Sequence, residues 1–338
     1  MKYRKLIITT FLVVMMFFVV NGCKSATTPS PTATQLSPTQ TSVPPTATPI
    51  PPTPTTEPTA TPIPPTEVPN YSEKVDVGGY KLYIKCIGEG IPTVILEGPM
   101  GTDQTIWRNV LAENPTNLGV RVCVYDRAGQ GYSEASPKRP RTSQDMVEDL
   151  HTLLTNASIT SPSVYVGYGQ GAFNARLYRE LYPDEVVGLI LIEGGDTDFS
   201  VLDHLPPETE NEHPSVAKIR EYFTYMETPK YAPETYDIKA SQELLQSAAP
   251  LGDLPLVVLS RDPVNRQAQL DLWFQAYGSD TPLDVLNAIE DGLADSMTKV
   301  AALSSNSIQI FVEEGPYIAR NSPERVIEAI RIILEQVQ

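Results

Sequence analysis

The chain is 338 residues long, with 41 acidic residues against 25 basic ones and a formal net charge of −16. Such an acidic excess argues against nucleic acid as a partner and against polybasic attachment to anionic lipid. It favours solubility and says little about the fold.

The N-terminus has the features of an export signal. Three basic residues lie within the first five positions, and the apolar run Leu6–Val20 is short for a transmembrane span. The run leads to Gly22 and Cys23, which resemble the bacterial lipobox, where the cysteine is diacylated and becomes the mature N-terminus. We expect residues 1–22 to be removed and Cys23 to anchor the protein in the cell membrane, facing the extracytoplasmic side. An ordinary secretory signal with a chance cysteine is the alternative.

A stalk is predicted to follow the lipidated cysteine, over residues 23–69. From Ala26 to Pro69, 14 of 44 residues are Pro and 14 are Thr. The nine residues Pro45–Thr53 recur unchanged at Pro58–Thr66. Such low-complexity sequence has almost nothing to bury, so it predicts a disordered, extended linker rather than a folded unit.

Residues 70–338 are long enough for one α/β domain. Apolar runs between glycines and prolines predict strands at Lys74–Val77, Tyr80–Ile87, Thr93–Glu97, Val120–Asp126, Ser163–Gly167, Val186–Glu193, Leu254–Ser260 and Ile308–Val312. Helical periodicity predicts helices near Gln104–Glu113, Ser143–Thr155, Gln170–Leu181, Asp284–Leu303 and Pro323–Val337. An opening hairpin followed by this alternation indicates a mostly parallel sheet with helices on both faces.

Four blocks of sequence carry a family resemblance: Pro92–Gly101, Val122–Ser133, Val164–Ala172 with Tyr182–Gly194, and Ser322–Ile330. Together they resemble the α/β-hydrolase superfamily, in particular its esterase and aminopeptidase-like branch. The resemblance implies an eight-stranded, mostly parallel sheet and a helical cap inserted at about residues 196–250.

The resemblance also shows what this chain lacks. Active members carry a serine nucleophile within Gly-x-Ser-x-Gly, whereas the pentapeptide here is Gly167-Tyr168-Gly169-Gln170-Gly171. The family's histidine base aligns with Pro316, between Gly315 and Tyr317. Gly169 has no group that could attack a carbonyl carbon, and a proline ring cannot shuttle a proton.

The sequence offers candidates for the family's two other functional features, the acidic triad member and the oxyanion hole. Asp262 falls near the place of the acidic triad member, with Glu193 as the second candidate, and either could equally be an ordinary loop carboxylate. The oxyanion hole would use the backbone N–H groups of Met100 and Gln170. These donors could bind a carboxylate or carbonyl oxygen, or simply a water molecule.

Other residues offer little for catalysis. We expect His151 to be a structural or surface histidine, and His204 and His213, within the cap insertion, to face solvent. We interpret one aromatic group as cap core rather than a ligand cage: Tyr222, Phe223, Tyr225, Tyr231 and Tyr236. No metal-ligand spacing or phosphate-binding loop is present in the sequence, so we expect neither a metal nor a cofactor.

The family strand order further implies a disulfide. It makes the strands that carry Cys86 and Cys123 neighbours, and export places both cysteines where disulfides persist. Two buried free thiols are the alternative, because a one-residue change of register would turn the side chains to opposite faces.

Three functions fit the sequence. The first is a pseudoenzyme, retained to bind a small molecule or a protein. The second is an active ester or amide hydrolase that activates water through Glu97, Asp126, Glu193 or Asp262. The third is a structural or adhesive surface domain.

Overall fold

The computed structural model describes residues 71–159, 162–194, 196–230, 233–313 and 317–337. The predicted signal segment, the candidate lipidation site Cys23 and the stalk lie outside these residues, as do Pro316 and Tyr231. Within the described ranges, no helix combines the length and apolarity needed to cross a membrane.

The strands form one eight-stranded sheet in the order β1-β2-β4-β3-β5-β6-β7-β8. They are β1 Tyr71–Asp76, β2 Lys81–Ile87, β3 Thr93–Glu97, β4 Arg121–Tyr125, β5 Ser163–Tyr168, β6 Val186–Ile192, β7 Leu256–Arg261 and β8 Ser307–Val312. Strand β2 pairs antiparallel with β1 and β4, and the other pairs are parallel. The predicted fold class is confirmed.

Nine α-helices are described: α1 Arg108–Ala112, α2 Ser143–Asn156, α3 Gln170–Leu181, α4 Pro214–Met226, α5 Ile238–Gln246, α6 Gln267–Tyr277, α7 Leu283–Ala301, α8 Ile318–Asn321 and α9 Pro323–Val337. The helix expected at Gln104–Glu113 is instead a 3-10 turn, Gln104–Trp107, followed by the short α1. Helices α4, α5, α6 and α8 were not assigned from the sequence.

The sheet separates two hydrophobic layers because side chains alternate along each strand. In β3, Ile95 packs into one layer with helices α2 and α3, whereas Val94 and Leu96 pack into the other with α9. Both faces are therefore covered, which explains why β3 and β5 are buried along their whole length.

A disulfide joins Cys86 of β2 to Cys123 of β4, the pair that the family strand order implies. The two residues face each other across the antiparallel ladder, with their Cα atoms 4.0 Å apart. Because the bridge closes a loop with a sequence separation of 37, the chain-entropy model gives it about 3–4 kcal/mol of stabilisation.

The cap side of the molecule has its own apolar cluster, which extends beyond the predicted insertion of residues 196–250. Val216 and Ile219 of α4 pack there with Leu270 of α6 and with Leu286 and Ile289 of α7. Helices on both sides of β7 in the sequence thus share one core, which local periodicity could not indicate.

Candidate functional site

The turn between β5 and α3 keeps the geometry of a nucleophile elbow. Gly169 stands at its tip with φ 55° and ψ −114°, and its N–H donates to the Ile192 carbonyl at 2.8 Å. A Cβ atom on Gly167 would lie 2.2 Å from the Gly171 carbonyl oxygen, and one on Gly171 would lie 2.4 Å from that of Glu97. Only glycine allows this approach of backbones.

The tip of the elbow has no reactive group. A Cβ atom at Gly169 would meet Pro99 Cβ at 3.2 Å, so the loop after β3 lies directly against the turn. With φ positive and no side chain, Gly169 adopts without strain a conformation that a serine would adopt at a cost of about 1–2 kcal/mol.

Arg127 organises the loop after β3. Its guanidinium donates to the carbonyls of Gly98 at 2.7 Å and Pro99 at 2.6 Å. In a trans peptide the carbonyl and the N–H point in opposite directions, so the Met100 N–H points away from Arg127. Arg127 lies within the block Val122–Ser133 that carries the family resemblance, but the sequence does not indicate this role.

Glu234, from the cap, completes this arrangement. Its carboxylate accepts two hydrogen bonds from Arg127, at 2.9 and 2.8 Å, and one from the Gly101 N–H at 2.7 Å. Both ionic side chains are almost fully buried. Burial lowers the pKa of Arg127, but Glu234 and Glu97 outweigh it, so the guanidinium stays charged. Nothing in the sequence pointed to Glu234, which lies 107 residues from its partner.

A second ionic cluster occupies the ends of β6 and β7. Arg261 donates to Glu193 and, at 3.3 Å, to Glu290. Glu193 also accepts from the Tyr168 hydroxyl at 3.0 Å, and Glu290 accepts from the Trp273 indole at 2.8 Å. Both carboxylates are 6% exposed and Arg261 is 24% exposed.

Tyr168 and Arg261 keep the protonated forms that this cluster needs. Burial and the nearby Glu193 raise the pKa of Tyr168 well above its usual value, so the phenol remains a donor. Burial lowers the pKa of Arg261, but Glu193 and Glu290 raise it overall. The second candidate for the acid, Glu193, is therefore neutralised by a cation.

Asp262 follows β7 directly, but its carboxylate turns back on its own loop. The side chain accepts the Val264 N–H at 2.8 Å, and its backbone N–H donates to Val312 at 3.1 Å. These contacts agree with the interpretation of Asp262 as an ordinary loop carboxylate. The position aligned with the histidine base, Pro316, lies outside the described residues.

The three histidines have structural partners. His151 stacks on Tyr182 with ring centroids 3.9 Å apart. The cap histidines, expected to face solvent, are only partly exposed, and His213 exposes 34% of its side chain. His204 lies against Gly292, where a Cβ atom would be 2.1 Å from its ring, and His213 caps α4 by accepting from the Ser215 N–H.

The other two carboxylates proposed for water activation, Glu97 and Asp126, also accept hydrogen bonds from other groups of the chain. Glu97 is 2% exposed and accepts from Asn174 at 2.5 Å and Arg127 at 3.3 Å. Burial raises the pKa of Glu97. Asp126 accepts the backbone N–H groups of Gln104 at 2.7 Å and Tyr132 at 2.8 Å, and burial raises its pKa as well.

The aromatic group expected in the cap is divided in the structure. Tyr222 contacts Phe223, and these two pack with Trp273 and Tyr277 of α6. Tyr236 instead bonds Ser143 at the start of α2 at 2.9 Å. Among the residues that the structure describes, no group of three or more His, Cys, Asp or Glu could hold a metal ion.

Comparison with known proteins agrees with this architecture. The model of a family described as alpha/beta hydrolase fold matches residues 92–285, more than half of the chain. The uncharacterized protein YqjL of Bacillus subtilis (strain 168) is 28% identical over 168 residues, which cover 50% of this chain and 61% of YqjL. The chain spans less than two thirds of the length of the curated relatives it matches.

Solved structures show the same fold. Alpha/beta hydrolase domain-containing protein 10 from mouse matches with a TM-score of 0.53 at 17% identity, over 79% of this chain and all of that chain. A thermophilic esterase from Thermogutta terrifontis matches with a TM-score of 0.51 at 21% identity, over 80% of this chain and 99% of its own. At these identities the likeness shows the fold alone.

Proposed function

Because this chain belongs to the alpha/beta hydrolase fold family, we propose that it is a catalytically inactive member, anchored outside the cell and retained to bind a ligand. The observation that carries the proposal is Gly169, which stands where the family places its nucleophile and brings no reactive atom there. The family fold persists around this position, so fold alone is no guide to activity.

The charged side chains near the strand ends support inactivity. A carboxylate activates water only if it is free to accept a proton in a suitable position. Glu97 and Glu193 are each bound to an arginine, and Asp126 is held by two backbone N–H groups. Asp262 caps its own turn. These contacts argue against an active hydrolase that uses non-standard groups.

A binding role is supported by the part of the site that remains organised. Arg127 holds the loop that carries the Met100 N–H, and α3 begins with Gln170 beside that loop. Backbone donors at a helix N-terminus favour a carbonyl or carboxylate oxygen without requiring a reaction. A small molecule or the end of a protein chain would supply such an oxygen.

Assays of the full chain test the proposal. We expect no turnover of short acyl esters or aminoacyl arylamides above buffer, and no covalent labelling by a fluorophosphonate probe. Stoichiometric labelling of any serine, or ester turnover by the unmodified chain, would instead favour an active hydrolase.

Restoring the family residues gives a matched test. The double variant Gly169→Ser with Pro316→His should gain weak esterase activity only if the pocket and an acid that orients the new histidine are intact, whereas each single variant should stay inactive because nucleophile and base act as a unit. Substantial turnover by Gly169→Ser alone would show that another base serves the site.

The membrane anchor is a separate part of the proposal. Removal of residues 1–22 would leave 25 − 3 = 22 basic residues against 41 acidic ones, so the mature chain has no electrostatic route to anionic lipid. Cys23→Ala should therefore release the protein from membranes. Firm retention of that variant would indicate an uncleaved signal anchor instead.

A further inference from the structure

The two edges of the sheet differ in how they are protected. Edge strand β1 carries three charged residues, Glu73, Lys74 and Asp76, among its six. Edge strand β8, Ser307–Val312, has no charge, proline or glycine. Natural proteins usually protect an exposed edge strand with charged residues or proline, because its unpaired backbone groups can otherwise pair with a strand of another chain.

The free edge of β8 also exposes apolar side chains. Ile308 is 43% and Phe311 is 48% exposed. In a chain with a net charge of −16, a strand without charged residues is a place where a second acidic copy would meet less local repulsion than at a charged edge.

The backbone of β8 determines which groups point outward. The carbonyls of Asn306 and Val312 accept N–H groups from the β7 side, at 3.1 Å each. The backbone N–H and C=O groups of successive residues point to alternate sides of a strand. Those of the even-numbered residues of β8 therefore point toward β7. The N–H and C=O groups of Ser307, Gln309 and Phe311 therefore point to the free edge.

We propose that β8 pairs antiparallel with β8 of a second copy of this chain, about a two-fold axis at Gln309. In this register Gln309 faces its own counterpart and Ser307 faces Phe311, which uses all the outward groups in about six hydrogen bonds. Ile308 of each copy then lies opposite Ile310 of the other, at the closer type of pair.

The charge of Glu313 favours antiparallel over parallel pairing of the two β8 strands. The exposed Glu313 follows β8 directly, and in a parallel pair it would face its own counterpart. In the antiparallel register it faces Ser305. The Pro-rich segment Ala26–Pro69 is a poor alternative occupant, since 14 of its 44 residues lack the N–H that a ladder requires.

The contact is small, so we expect a weak dimer that is best trapped covalently. Full chain carrying Gln309→Cys, oxidised in its native membranes, should give a disulfide-linked dimer on a non-reducing gel, because paired Cα atoms lie about 5.5 Å apart. Ser307→Cys is the matched control on the same edge: its two copies would be more than about 10 Å apart and should cross-link at least fivefold less. Lys74→Cys on β1 should behave like that control.

A charge exchange tests the two-fold register without cysteine. In this test, Ile308 of the intact full chain carries a photo-cross-linker that requires neither an amine nor a carboxyl group. Gln309→Lys and Gln309→Glu should each reduce cross-linking between copies. Co-expression of the two charge variants should restore it. Equal trapping at Ser307 and Gln309, absence of a Gln309→Cys dimer, or charge variants that cross-link like the unmodified chain would each overturn the proposal.

Discussion

The elbow at Gly169 and the ionic cluster around Arg261 both lie at the ends of parallel strands, and they differ in the contacts that hold them. At the elbow the backbone retains its sharp turn, with the β5 strand and α3 helix in contact through Gly167 and Gly171. At the ends of β6 and β7 the contact is ionic instead, between Arg261 and Glu193.

The difference separates what the fold needs from what a reaction needs. The elbow is held by contacts between backbones, which do not depend on a nucleophile at Gly169. The cluster around Arg261 is held by ion pairs between side chains, which depend on the identity of each residue. The two regions should therefore respond differently to substitution.

The largest effect is expected when Arg261 is removed. Arg261→Met would leave Glu193 and Glu290 buried without their cation, and loss of one partner of a buried pair costs about 3 kcal/mol or more. Lys239→Met is the control, because Lys239 is 71% exposed and its ion pair with Glu227 spans 3.6 Å, so the loss should be at most about 1 kcal/mol. Urea unfolding measures both, and similar midpoints for the two variants would contradict the structural role of the cluster.

Within the elbow, two glycine substitutions should differ. Gly167→Ala would place a Cβ atom 2.2 Å from a backbone carbonyl oxygen that cannot move freely, so we expect a loss of about 3 kcal/mol. Gly169→Ala meets Pro99 at 3.2 Å and adopts a positive φ, which should cost only about 1–2 kcal/mol. Thermal unfolding of both variants gives the order, and a greater loss for Gly169→Ala would show that the tip, not its flanks, holds the turn.

The smallest effect concerns pH. Burial raises the pKa of Glu97 in the folded chain above the ordinary value of 4.5, so the folded state holds a proton that the unfolded state has lost. Stability therefore falls as pH rises above about 4.5. Glu97→Gln has no such proton to lose, and its stability should decline less steeply than that of the unmodified chain as the pH rises above about 4.5. Equal slopes for Glu97→Gln and the unmodified chain would assign the pH dependence to other groups.

The sequence alone predicted the elements whose signals are local. Strand β3 and helices α3 and α9 were predicted at their observed bounds, because an apolar run or a helical period is interrupted there by glycine or proline. The resemblance carried by a few motifs extended this to the strand order. Its assignment of Gly169 to the position of the nucleophile stays a prediction.

Only the tertiary structure revealed which distant charges meet. Arg127 binds Glu234 across 107 residues, and Arg261 joins Glu193 and Glu290 from elements on either side of it in the chain. Burial makes these ion pairs strong, because a charged group removed from water needs an oppositely charged partner inside the fold. Periodicity reports which face of an element is buried, but it does not report which charges that burial brings together.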